Sequence, residues 1–104
     1  MSLDLTKIDI VMNNYNIPVQ IESRLHELYK NCVYCGKTFT KDATIEHIDN
    51  DVGNISLKNI VLCCRSCNSS KGNKNLKDWL NSEYCSINNI SYNTVADVIK
   101  NCLQ

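Results

Sequence analysis

The chain has 104 residues, 43% hydrophobic and 21% charged, with three Gly, one Pro, one Trp and seven Cys; this suits one small domain with short helical flanks and argues against two domains. At this length folding buries only about two-thirds of the unfolded surface, so a core with few aromatic residues needs a further staple, and the cysteines are the candidates. Eleven basic and eleven acidic side chains cancel, and the longest apolar run, Ile60 to Cys64, is far too short to span a bilayer as a helix.

In chain order, Leu5, Ile8, Met12 and Tyr15 recur at helical spacing and predict a first helix over residues 3–15. Asn13-Asn14-Tyr15-Asn16 breaks it. Pro18 suits the first turn of a second helix, running to about Lys30, with Ile21, Leu25 and Leu28 inward and Glu22, Arg24, Glu27 and Lys30 outward. His26 belongs to that polar face. Cys32 to Gly36 reads as a tight turn. Thr44-Ile-Glu-His-Ile48 is β-branched and alternating, hence a strand with Ile45 on one face and Glu46 on the other. Residues 49–54 are turn chemistry and predict an exposed loop. Ile60 to Cys63 reads as a second strand, a helical turn begins at Cys67 or Asn68, and Leu76 to Leu80 is another helical piece carrying Trp79. Thr94 and Asp97 have capping-box spacing ahead of a last helix whose apolar face is Val95, Val98, Ile99 and Cys102.

Charge is distributed unevenly. Residues 1–51 carry five basic and eight acidic side chains, residues 52–80 five and one, and residues 81–104 one and two. The segment with Lys58, Arg65, Lys71, Lys74 and Lys77 is therefore the one able to face phosphates, the alternative being a solvated basic face.

Cys32-x2-Cys35 and Cys64-x2-Cys67 are two chelating pairs, and an x2 gap lets a tight turn offer two sulfurs to one tetrahedral zinc ion. The opening residues Met1-Ser-Leu-Asp-Leu-Thr-Lys lack the apolar stretch of a secretion signal. The expected setting is thus a reducing cytoplasm, where paired cysteines hold metal more often than they form disulfides. Cys63 is the alternative to Cys64, but only Cys64 gives the x2 spacing. Cys85 and Cys102 lack paired spacing and read as small core residues. The 28 residues between the pairs exceed the usual ribbon interval of roughly 15–20, so the intervening loop houses something else.

Inside that loop sit Glu46-His47, then Asn54 and Asn59, and Asn68 directly follows the last paired cysteine. The stretches Cys32-Val-Tyr-Cys-Gly, Thr44-Ile-Glu-His-Ile-Asp-Asn, Gly53 and Asn59-Ile-Val-Leu-Cys-Cys-Arg-Ser-Cys-Asn-Ser-Ser-Lys-Gly72 resemble the HNH, or ββα-metal, endonucleases. The resemblance covers about forty residues and implies an α+β fold: two N-terminal helices, a zinc-stapled ββα-metal core and C-terminal helical segments. It divides a single domain, 1–104, into a flank at 1–30, a core at 31–80 and a second flank at 81–104.

The resemblance also implies roles. His47 takes the place of the general base that deprotonates water for attack on a scissile phosphate. Asn59 matches the asparagine that fixes the loop and helps orient the base. Glu46 and Asn68 match the protein ligands of a catalytic divalent ion, Mg²⁺ or Mn²⁺, which favour oxygen donors. Asn68 is expected at a helix start, with Arg65, Lys71 and Lys74 placed to touch the phosphate backbone. Glu46 departs from the family pattern, which often has Asp there. Glu46 and His47 are consecutive, so they point to opposite faces unless the strand is bulged. The implied partner is DNA, cut to 5′-phosphate and 3′-hydroxyl ends, with no membrane involved. The apolar faces of the terminal helices could supply a homodimer interface or pack on the core. The rival readings are a non-catalytic zinc module that binds nucleic acid or protein, and a thiol redox protein, whose usual βαβ setting is absent from the pattern.

Overall fold

The computed structural model describes residues 12, 13 and 17–104. The helix expected at 3–15 lies outside the described residues apart from Met12 and Asn13, and there Met12 forms an isolated antiparallel bridge with Pro18. The elements in order are α1 (Val19–Leu28), β1 (Ala43–His47), β2 (Ile60–Cys64), α2 (Arg65–Lys71), α3 (Leu76–Leu80), α4 (Glu83–Ile87) and α5 (Asp97–Cys102). Among the described residues no helix is long and apolar enough to cross a membrane.

The two strands form one antiparallel hairpin in unbroken register, from Ala43 opposite Cys64 to His47 opposite Ile60. All five residues of β2 are buried, because both faces of the hairpin are covered. Ile45, Ile60 and Leu62 pack with Ile17 and Leu25 of the α1 side. Val61 and Cys63 face the larger core, which contains Tyr34, Cys67, Leu76, Trp79, Val95 and Ile99. A short unbroken apolar run is the pattern of a strand buried on both faces.

Local details correct the sequence reading at several points. Pro18 precedes α1 as its cap residue, and α1 ends at Leu28, which is 47% exposed instead of facing the core. Leu25 is the buried residue of the helix, and Ile21 packs part-buried against the same small core. α2 begins at Arg65, two or three residues early, because the Cys64 side chain serves as its N-cap and accepts the N–H of Cys67. Helix α4 was not expected; Ser82 caps it by accepting the Cys85 N–H at 3.3 Å. The capping box at Thr94 does not form. Thr94 Oγ1 accepts from Ser91 N at 2.8 Å and donates to Asn89 O at 3.0 Å, while Ala96 occupies the cap of α5 without a side-chain bond. Cys85 is buried as expected, but Cys102 is exposed.

Trp79 is fully buried and donates from Nε1 to Ser70 Oγ at 2.9 Å, which satisfies its polar handle. Its ring meets Tyr34 edge-on, with centroids 4.8 Å apart, and Tyr84 in a stacked arrangement at 6.1 Å. This aromatic column ties α3 and α4 to the turn that carries the first cysteine pair.

Candidate metal and catalytic site

Cys32 and Cys35 lie on the tight turn ahead of β1, while Cys64 ends β2 and Cys67 sits in the first turn of α2. Their four sulfurs all lie within 4.8 Å of one another, and Cys35 and Cys64 Sγ are 3.8 Å apart. Tetrahedral zinc with Zn–S bonds of about 2.3 Å requires sulfurs about 3.8 Å from each other. The two pairs repeat one geometry: Cys35 N–H points at Cys32 Sγ at 3.5 Å, and Cys67 N–H at Cys64 Sγ at 3.4 Å. Gly36 completes the first turn at φ +78°, where an L side chain would be strained even though a Cβ would meet nothing. Cys63 points into the larger core, leaving Cys64 as the fourth sulfur.

The thiols are poised unequally. A hydrogen bond from Cys67 draws Cys32 down to about 5. Giving that bond, together with burial, raises Cys67, and burial pushes Cys35 up to about 11. Four thiolates this close repel one another and require a cation between them. The cluster therefore fits a metal ion, and an all-sulfur tetrahedron is the donor set zinc takes. Tyr84 adds an outer contact, its hydroxyl 3.5 Å from Cys67 Sγ.

Glu46 and His47 follow each other on β1 with no bulge, so they leave opposite faces of the hairpin. Glu46 is buried on the side of the larger core. Its Oε2 accepts from the Tyr34 hydroxyl at 3.1 Å and lies 3.4 Å from Lys71 Nζ. Burial pushes the carboxyl up against the opposing pull of the Lys71 charge. Lys71 is 0% exposed and also donates to Asn50 Oδ1 at 2.8 Å. The expectation that Lys71 touches a phosphate is thereby corrected: its ammonium is turned inward by two acceptors contributed by β1 and the following loop. Arg65 and Lys74, the other two cations of that set, are exposed, with Lys74 Nζ resting on Ser70 O at 2.9 Å.

His47 is only 9% exposed, and its Nε2 is the one buried side-chain nitrogen or oxygen among the described residues without a hydrogen-bond partner. Such a group normally costs about 1–3 kcal/mol when left unmatched. The loop that follows His47 is closed by Asn59, which is 6% exposed. Asn59 Oδ1 accepts the Asp49 N–H at 3.0 Å, its Nδ2 donates to Asn54 O at 3.0 Å, and its carbonyl accepts the Ile48 N–H at 3.0 Å. Asn54 in turn donates to Asp49 Oδ2 at 2.8 Å, and this bond holds the Asp49 carboxyl below its ordinary range.

Asn68 is half-buried in the middle of α2 and not at its start, because the Cys64 cap moves the helix N-terminus forward. Three participants escaped the sequence reading: Tyr34, Asn50 and the inward course of Lys71. One signal was present. Cys67 and Lys71 are four apart on a helix, which puts the lysine on the face that buries the cysteine.

A hairpin leading into a short helix, clamped by four cysteines, defines a ββα metal-site domain. Residues 32–74 match the model of the HNH endonuclease family, the family that the sequence resemblance indicated. Neither the curated proteins nor the solved structures give a match to the chain.

Proposed function

We propose that this chain is a metal-dependent endonuclease that hydrolyses DNA phosphodiester bonds, leaving 5′-phosphate and 3′-hydroxyl ends. The observation that carries the reading is His47: inside the HNH match, its Nε2 is the one buried side-chain nitrogen or oxygen among the described residues that no protein group engages. An imidazole nitrogen can accept a proton from water, as a general base must. In this reading His47 removes a proton from water as the water oxygen bonds to phosphorus and the bond to the 3′ oxygen breaks. Asn59 acts as a positioning residue, since its three bonds set the course of the chain directly after His47.

Glu46 and Asn68 are the residues that would hold the catalytic Mg²⁺ or Mn²⁺. The fit rests on the Glu46 carboxylate, an oxygen donor that is buried and already keeps a cation, the Lys71 ammonium, 3.4 Å away. Held there, such an ion would supply positive charge against the negative charge that develops on the leaving oxygen. The exposed Arg65 and Lys74 supply positive charge toward the DNA backbone. The four cysteines hold zinc as a staple remote from the chemistry. The whole chain is read as one domain built around the 31–80 core.

The pairing of Glu46 with Lys71 also favours a second reading, a zinc module that binds without cutting. Supercoiled plasmid incubated with Mg²⁺ or Mn²⁺ separates the two. The nuclease reading expects nicked and linear product from the wild type and none from His47→Ala, with zinc content and DNA binding kept. A His47→Ala variant that nicks at the wild-type rate refutes the assignment, and a wild type that leaves the plasmid intact favours the module.

A further inference from the structure

Lysine is almost never fully buried unless it is paired, and Lys71 has no exposed surface at all. Its ammonium has two acceptors, Glu46 Oε2 at 3.4 Å and Asn50 Oδ1 at 2.8 Å. Both acceptors are themselves fixed. Tyr34 donates to the same Glu46 oxygen. Asn50 sits in the left-handed region at φ +64° and donates from Nδ2 to Asn73 O and Lys74 O, each at 3.1 Å, just beyond α2. β1, the loop after it and the end of α2 thus converge on one buried nitrogen, which is more than a chance surface pair requires.

The charge at this point balances as it stands. Glu46 and Lys71 are the buried charged side chains of the described residues, and they neutralise each other. A divalent ion added on Glu46 with the ammonium still in place would put two cationic centres on one carboxylate in a poorly solvated pocket, where like charges repel strongly.

We propose that Lys71 is the resident counter-cation of the Glu46 pocket, and that a divalent ion reaches Glu46 only by displacing the Lys71 ammonium. The lysine thereby sets the affinity of the catalytic metal site. It is a positioning residue, and the proposal rests on the reading of Glu46 as a metal ligand.

The test titrates Mn²⁺ into the zinc-loaded full chain and follows free Mn²⁺ by electron paramagnetic resonance. Mn²⁺ favours oxygen donors, so the sulfur site stays with zinc. Glu46→Gln is expected to lose the Mn²⁺ site. Lys71→Met is expected to bind Mn²⁺ at least about tenfold more tightly than wild type, the scale on which one neighbouring charge shifts an ionic equilibrium. Equal or weaker binding by Lys71→Met, with the Glu46 dependence intact, overturns the proposal and leaves the ligand assignment standing. Mn²⁺ binding that survives Glu46→Gln unchanged sinks the ligand assignment and the proposal together.

Lys71→Met leaves a buried carboxylate unpaired and could fail to fold, so a second measurement uses the unaltered protein. The Lys71 ammonium is expected to give a slowly exchanging ¹⁵N–¹H signal that disappears or shifts during a Mg²⁺ titration, in step with the Glu46 carboxyl carbon. A lysine signal that stays put while the Glu46 signal moves contradicts displacement. If neither signal responds at saturating Mg²⁺, Glu46 is no ligand and the proposal fails with it.

Discussion

Asn59→Ala is the sharpest probe of the loop that carries the proposed base. The substitution deletes an acceptor for Asp49 N–H and a donor to Asn54 O, both at 3.0 Å. Each such bond contributes about 1 kcal/mol net. Asp49 is exposed and Asn54 half-buried, so water can reach the orphaned groups and the larger penalty for burying them unmatched does not apply. The loss should therefore be about 2 kcal/mol, a fall in melting temperature of about 8–16 °C for a domain of this size. The assay is urea unfolding at fixed excess zinc, read from Trp79, the single tryptophan and a fully buried one. An unchanged denaturant slope would confirm that stability alone has moved. A loss below about 0.5 kcal/mol would refute the reasoning, because the Ile48–Asn59 backbone bond and the local turns would then suffice to close the loop.

Two further outcomes follow from the site. Zinc binding contributes about 10–16 kcal/mol in small zinc-dependent folds, more than most domains have in total. Cys64→Ser or a strong chelator should thus abolish the cooperative melt, and a melt at the wild-type temperature would show that the four sulfurs are not the staple. Asp49 is held below its ordinary value of 3.8, chiefly by the Asn54 side chain. A carboxyl depressed in the folded state adds stability above its unfolded value, and that stability is lost as pH falls through the folded one. Asn54→Ala should raise the Asp49 midpoint in a carboxyl ¹³C titration; an unmoved midpoint would mean the bond does not form in solution.

Much of the core could be read from neighbours along the chain. The x2 spacing of each cysteine pair is a matter of local turn geometry, and each turn closes with the same N–H to sulfur contact. The apolar run of β2 reads as a strand, while its burial on both sides and the unbroken register that keeps Glu46 and His47 on opposite faces came with the tertiary structure. The loop-fixing role of Asn59 came from the family resemblance, and its partners lie five and ten positions away. Leu28 and Lys71 behave differently. Apolar spacing put Leu28 inward and charge put Lys71 outward, yet the packing reverses both. Whether a leucine finds a surface to cover, or a lysine finds acceptors worth leaving water for, depends on groups brought from elsewhere in the chain. For Lys71 these come from 21 residues away in the loop and from β1. Local pattern sets turns and strands through short-range sterics and hydrogen bonds. The direction of a long charged side chain is set by electrostatics between distant segments, and those meet only once the hairpin has closed against α2.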